Sequence, residues 1–143
     1  MNPQIAAALS TLAFLSGCAS TVTVADLRRT NEGASKYQAK MSYEVAYRII
    51  AAESRRCFER TIPGANVYVR GDLYSDSKSA EVSIAGALMT ASIAEIIFDI
   101  RATGASSAEI TTFYRKKSSE SIENAMRSWL EGDTSACHIE KKV

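Results

Sequence analysis

The sequence predicts an α+β domain: a four-stranded antiparallel meander between two helices, in the order αββββα, with both helices on one face of the sheet. Three observations predict it. Apolar residues recur at three- and four-residue spacing after Ser42 and again after Ser118. Between those stretches the period falls to two. Around Ala105 two apolar-rich arms match as partners, with apolar pairs on one face and opposite charges on the other.

The first helix opens at Ser42, a residue suited to an N-cap, and its apolar face is Tyr43, Ala46, Tyr47, Ile50, Ser54, Cys57 and Phe58. Glu44, Arg48, Arg55, Glu59 and Arg60 fall mostly elsewhere, and Pro63-Gly64 is expected to end the helix. A hairpin follows. Val67, Val69, Gly71 and Leu73 alternate with Tyr68, Arg70, Asp72 and Tyr74. Beyond a turn at Ser75-Asp76-Ser77-Lys78, Ala80, Val82 and Ile84 alternate with Glu81 and Ser83. Shifting that turn by one residue exchanges equally good partners, so the register stays open. Residues 86–91 read as a loop, a strand extension or a helix start, and the β-branched and aromatic residues of 93–100 favour strand.

Pairing the next two strands about Ala105 sets Ile100 opposite Ile110, Phe98 opposite Thr112 and Ile96 opposite Tyr114. The other face pairs Arg101 with Glu109, Ile97 with Phe113 and Glu95 with Arg115. The second helix begins at Ser118 or Ser119, presents Ile122, Ala125, Met126, Trp129 and Leu130, and meets Gly132 where a C-cap belongs. The order resembles that of small periplasmic lipoproteins and envelope-assembly factors, a likeness of architecture that carries no function.

Residues 19–40 read as a flexible tether, because their large apolar residues (Val22, Val24, Leu27, Tyr37) are isolated. Extended, that stretch would reach about 70 Å. Residues 41–143 form the domain. The charges balance, with 17 Lys and Arg against 16 Asp and Glu. No basic stripe is present, so no nucleic-acid partner is expected.

The N-terminus carries a different kind of signal. Ile5 to Leu15 is a short apolar run closed by Leu15-Ser16-Gly17-Cys18. It is shorter than the roughly 20 apolar residues of a membrane span. It has the length of a secretory signal core, although Met1-Asn2-Pro3-Gln4 supplies no Lys or Arg. The four closing residues resemble the lipobox of bacterial lipoproteins. That resemblance implies removal of residues 1–17, lipid on Cys18, and membrane attachment through that lipid. Ala19 stands where an Asp would mark retention at the inner membrane, which favours the periplasmic face of the outer membrane.

Two cysteines remain, Cys57 and Cys137, and in an oxidising compartment an even pair is expected to form a structural disulfide. A redox-active or metal-binding pair is the alternative, but the single histidine, His138, cannot complete a ligand set alone. No catalytic set stands out. Gly104-Ala105-Ser106-Ser107-Ala108 misses a nucleophile elbow at its last residue. Asp76 reads as a turn residue, and Glu95 and Asp99 have Arg115 and Arg101 for compensation. No enzyme activity, cofactor or metal is therefore expected.

Strand alternation turns Tyr68, Arg70, Tyr74, Ile97 and Phe113 away from the helices, onto a face expected to be free. Aromatic residues with Arg suit a protein partner, although cross-strand pairing on a half-exposed sheet is the simpler account of them. The expected function is a non-catalytic, membrane-anchored envelope lipoprotein that binds an envelope protein or a cell-wall component. A small-ligand or lipid carrier is the alternative, with room between helices and sheet at Gly71, Ala80, Gly86 and Ala125.

Overall fold

The computed structural model describes residues 21–30, 34–88, 91–115, 119–135 and 137. Cys18 and the apolar run before it lie outside the described residues. In chain order the elements are α1 (Val24–Thr30), β1 (Ser35–Ala39), α2 (Tyr43–Phe58), β2 (Arg60–Ile62), β3 (Ala65–Tyr74), β4 (Ser79–Leu88), β5 (Ala91–Gly104), β6 (Ser107–Tyr114) and α3 (Ser119–Leu130). The strands form one antiparallel sheet of order β1-β6-β5-β4-β3-β2.

The expected αββββα meander is thus corrected to three helices on a six-stranded sheet. Its four strands are the centre of the sheet, and each added strand has a physical reason. β1 pairs along β6 from Ser35↔Thr112 to Ala39↔Ala108, buries Ala39, and sets Tyr37 opposite Ile110. It satisfies backbone groups that β6 would otherwise leave open. β2 exists because α2 ends at Phe58, earlier than expected. Glu59 is extended, and Pro63-Gly64 turns a hairpin instead of stopping the helix. Gly64 takes the positive φ of +82° that the second residue of such a turn requires.

The tether expected at residues 19–40 is corrected as well, since α1 and β1 both fall inside it. Thr23 and Asp26 cap α1 reciprocally. The Asp26 N–H donates to Thr23 Oγ1 at 3.1 Å, and the Thr23 N–H donates to Asp26 Oδ2 at 3.1 Å. Before the helix, Val22 bridges to Ile93 and accepts a bond from the Ala94 N–H, beyond the point where β6 ends.

Helices α2 and α3 cover one face of the sheet, as the sequence indicates. Ala46, Ile50, Val82, Phe98, Ile100, Ile110, Met126 and Trp129 are buried between them and the strands. Each of the larger side chains contributes about 1.5–3 kcal/mol by leaving water. Ser42 caps α2 by accepting from the Val45 N–H. α3 ends in a paired capping motif. The Asp133 N–H reaches the Ser128 carbonyl, the Gly132 N–H reaches that of Trp129, and Gly132 adopts a φ of +92°.

The β5–β6 register is the expected one at every pair from Ile96↔Tyr114 to Arg101↔Glu109. For β3–β4 the open choice resolves to Val69↔Ile84 and Gly71↔Val82. β4 runs on to Leu88, and a bulge at Ile84/Ala85 shifts its pairing with β5, so the strand extension is the correct reading of residues 86–88. Cys57 at the end of α2 and Cys137 after α3 stand at disulfide distance, with Cα atoms 5.4 Å apart. Arg56 donates to the Thr134 carbonyl beside them, so the tail returns to α2 by two links.

Candidate functional site

The face of the sheet opposite α2 and α3 is built in cross-strand rows. One row is Tyr74, Ser79, Arg101 and Glu109; the next is Asp72, Glu81, Asp99 and Thr111; a third is Arg70, Ser83, Ile97 and Phe113. The middle row would set Glu81 and Asp99 side by side with nothing to balance them. Arg28 of α1 supplies the balance. Its Nη2 donates to Glu81 Oε2 at 2.5 Å and to Asp99 Oδ1 at 2.5 Å, and its Nε donates to Asp99 Oδ2 at 2.9 Å. The bond to Asp99, ahead of that to Glu81, holds the guanidinium above its ordinary range, so the cation is firmly retained. One turn of apolar contact completes the attachment, with Leu27 buried against Ala94 and Ile97 and Phe113 packed beside them.

This placement corrects two of the expected surface residues. Ile97 and Phe113 do lie on the outer side, but α1 covers them; Ile97 is 0 % exposed. Tyr68, Arg70 and Tyr74 remain open, with Tyr68 and Tyr74 exposed to 38 % and 48 %. Tyr68 shares a hydrogen bond of 2.7 Å with Ser92. Arg70 donates to Asp72 at 2.9 Å, and that bond raises the pKa of its guanidinium. Beside Tyr74 a shallow groove of about 430 Å³ runs past Ser79 and Arg101 to the Arg28 clamp. Arg101 and Glu109 are Cα partners as expected, yet Glu109 gives its carboxylate to Lys36 and Gln38 of β1. Among the described residues Arg101 therefore makes no ion pair and stands open next to Tyr74.

Sequence reasoning missed Arg28, Glu81 and Asp99 as a set. The available signal was Thr23-Val24-Ala25-Asp26, the spacing of a capping box, which marks a helix start in front of Leu27. Of the two compensations expected, Arg115 for Glu95 holds, and Arg101 for Asp99 is corrected to Arg28. Asp99 is held by Arg28, and Glu95 bonds Arg115 at 3.0 Å. Ser106 lies in the β5–β6 turn and Asp76 in the β3–β4 turn. The room considered at Gly71 is taken by Tyr47, whose hydroxyl would stand 2.8 Å from an added Cβ, and Ala80 and Ala125 are packed in the core. Gly86 faces open space.

The edge of the sheet completes the site. β2 pairs with β3 only from Ala65 to Val67. Among the described residues, nothing pairs with the same side of β3 from Tyr68 to Tyr74. No protein-family model, curated protein or solved structure matches this chain. The arrangement itself therefore carries the functional argument.

Proposed function

We propose that this chain is a lipid-anchored, non-catalytic binding protein of the bacterial envelope, attached through Cys18 and meeting an envelope protein or cell-wall partner on the outer face of its sheet. The observation that carries the binding half is the open group Tyr68, Arg70, Tyr74 and Arg101 beside the part of the face that α1 covers. Amphipathic aromatics beside Arg are the residues that anchor protein contacts. The anchoring half rests on Leu15-Ser16-Gly17-Cys18 and the short apolar run before it. The outer membrane's periplasmic face suits both Ala19 and the cysteine pair, because a disulfide persists in that compartment.

The fold alters what such an anchor does. Val22 is already bridged to β5, so only residues 19–21 separate the sheet from Cys18. They span at most about 14 Å. A lipid on Cys18 would hold the domain against the membrane surface, where a long tether would have let it range.

Cys18→Ser tests the anchor. It should abolish incorporation of labelled fatty acid and move the protein to the soluble fraction; unchanged labelling and fractionation would end the lipoprotein reading. Tyr74→Ala with Arg101→Ala tests the surface. The pair should cut crosslinking to the partner in intact envelopes about tenfold or more while leaving the melting temperature within a few degrees. Normal crosslinking by that variant would remove this face from the proposal.

A further inference from the structure

The free edge of β3 has an unusual order. From Tyr68 to Tyr74 it reads Tyr-Val-Arg-Gly-Asp-Leu-Tyr, which is chemically complementary to itself when reversed about Gly71. Two such segments laid antiparallel place Tyr68 opposite Tyr74, Val69 opposite Leu73, Arg70 opposite Asp72, and Gly71 opposite Gly71. We propose that a second copy of this chain pairs here, joining the two sheets edge to edge across a two-fold axis at Gly71. This deepens the binding reading by naming one partner of the same strand, and rests on it only in that respect.

The backbone agrees with the side chains. Ile62↔Ala65 closes the two-residue turn at Pro63-Gly64, so Ala65 and then Val67 direct their N–H and C=O groups at β2. Hydrogen-bonding direction alternates along a strand. Val69, Gly71 and Leu73 therefore turn theirs to the same, unpaired side. A two-fold centred on Gly71 brings those three residues against their counterparts, giving about six hydrogen bonds. Centred on Arg70 or Asp72 instead, the axis would set Arg70 against Arg70 or Asp72 against Asp72 and leave fewer outward-facing pairs in the open window.

The same register puts Arg70 and Asp72 in the non-hydrogen-bonded pairs, where Cα atoms approach to roughly 4.5 Å and side chains meet most closely. Arg70 bonds its own Asp72 at 2.9 Å in the single chain. In the pair its guanidinium also faces the copy's Asp72, so both cross-strand ion pairs form at once, as an isologous interface requires. Leu73, 44 % exposed, gains cover from the copy's Val69. The open window also has the right length. β2 occupies the edge up to Val67 and the turn begins at Ser75, so the unpaired stretch and the self-complementary stretch are the same residues. A foreign strand would have to match each of these positions separately; a copy matches them all.

Two differently tagged copies of the full chain, produced together and extracted in mild detergent, test this. Wild-type copies should co-purify. Arg70→Asp sets two carboxylates face to face in both cross-strand pairs, and Asp72→Arg sets two guanidinium groups face to face there. Each variant should lose co-purification with itself by about a hundredfold. Arg70→Asp produced with Asp72→Arg restores both opposite-charge pairs across the interface and should recover the complex. No repair within one chain produces that recovery. The pairing is overturned if wild-type copies do not co-purify, if a single variant still associates with itself, or if the mixed pair fails to recover. Cys18→Ser copies should still associate, so loss of the anchor and loss of the dimer are read separately.

Discussion

Thr112 shows how much a single position can conceal. Its hydroxyl is fully buried on the core face of β6, opposite Phe98, and has no hydrogen-bond partner among the described residues. A buried, unbonded hydroxyl costs about 1–3 kcal/mol, and Val has the same branched shape without it. Thr112→Val should therefore stabilise the protein by about 1 kcal/mol in urea denaturation at unchanged m-value. A loss of stability would mean that the hydroxyl has a use in the native state. The sequence places Thr112 opposite Phe98 on the buried face, because alternation fixes a side chain's direction. Alternation does not report what covers that direction. Ile97 and Phe113 illustrate the gap: both point outward as read, and both are closed over by Leu27.

At the level of elements, legibility follows length and period. α2 runs 16 residues and repeats its apolar face several times, and β5 and β6 carry two independent sets of matching pairs. These are readable. α1 has seven residues and a single buried one, Leu27, so no period exists to detect. β1 is similarly short, and its pairing with β6 joins residues more than sixty positions apart. What holds α1 instead is a cap and a clamp. Bonds from the Thr23 side chain and backbone, and then Arg29, lower the pKa of Asp26. A carboxylate whose folded pKa lies below its unfolded value stabilises the fold above the unfolded value, and that help is lost as pH falls through the folded one. The α1 amides should therefore lose protection, measured against the unstructured exchange rate at the same pH, once pH drops below the ordinary carboxylate range. Asp26→Asn should show that loss of protection at neutral pH, and unchanged protection in this variant would mean the cap is idle. The cysteine pair ties a different element. Replacing Cys57 and Cys137 by Ala should lower stability by about 2–4 kcal/mol, read by denaturation of the oxidised wild type against the variant. Equal stabilities would mean the pair is not bonded in the isolated protein.

For the whole molecule, the fold boundary moves about twenty residues toward the N-terminus of the one the sequence suggests, and the energetics say why that matters. A chain starting at residue 41 would keep α2, α3 and most of the core. It would lose Leu27, whose burial closes Ala94 and Ile97, and it would open the β6 edge now paired with β1. It would also leave Glu81 and Asp99 adjacent without Arg28. A buried Leu contributes about 1.5–3 kcal/mol, and Tyr37 and Ala39 pack on the same core as β1. Together these losses approach the roughly 5–15 kcal/mol that separates a domain of this size from its unfolded chain. The fragment 41–143 should therefore melt without a cooperative transition or associate through its bare β6 edge, while 21–143 should unfold in one step. Thermal melts of the two fragments followed by circular dichroism, with light scattering on the same samples, decide the matter. Matching cooperative transitions would show that α1 and β1 decorate a fold that is complete without them. A difference would make them part of it, and would place the proposed lipid anchor within a few residues of the hydrophobic packing that closes the outer face.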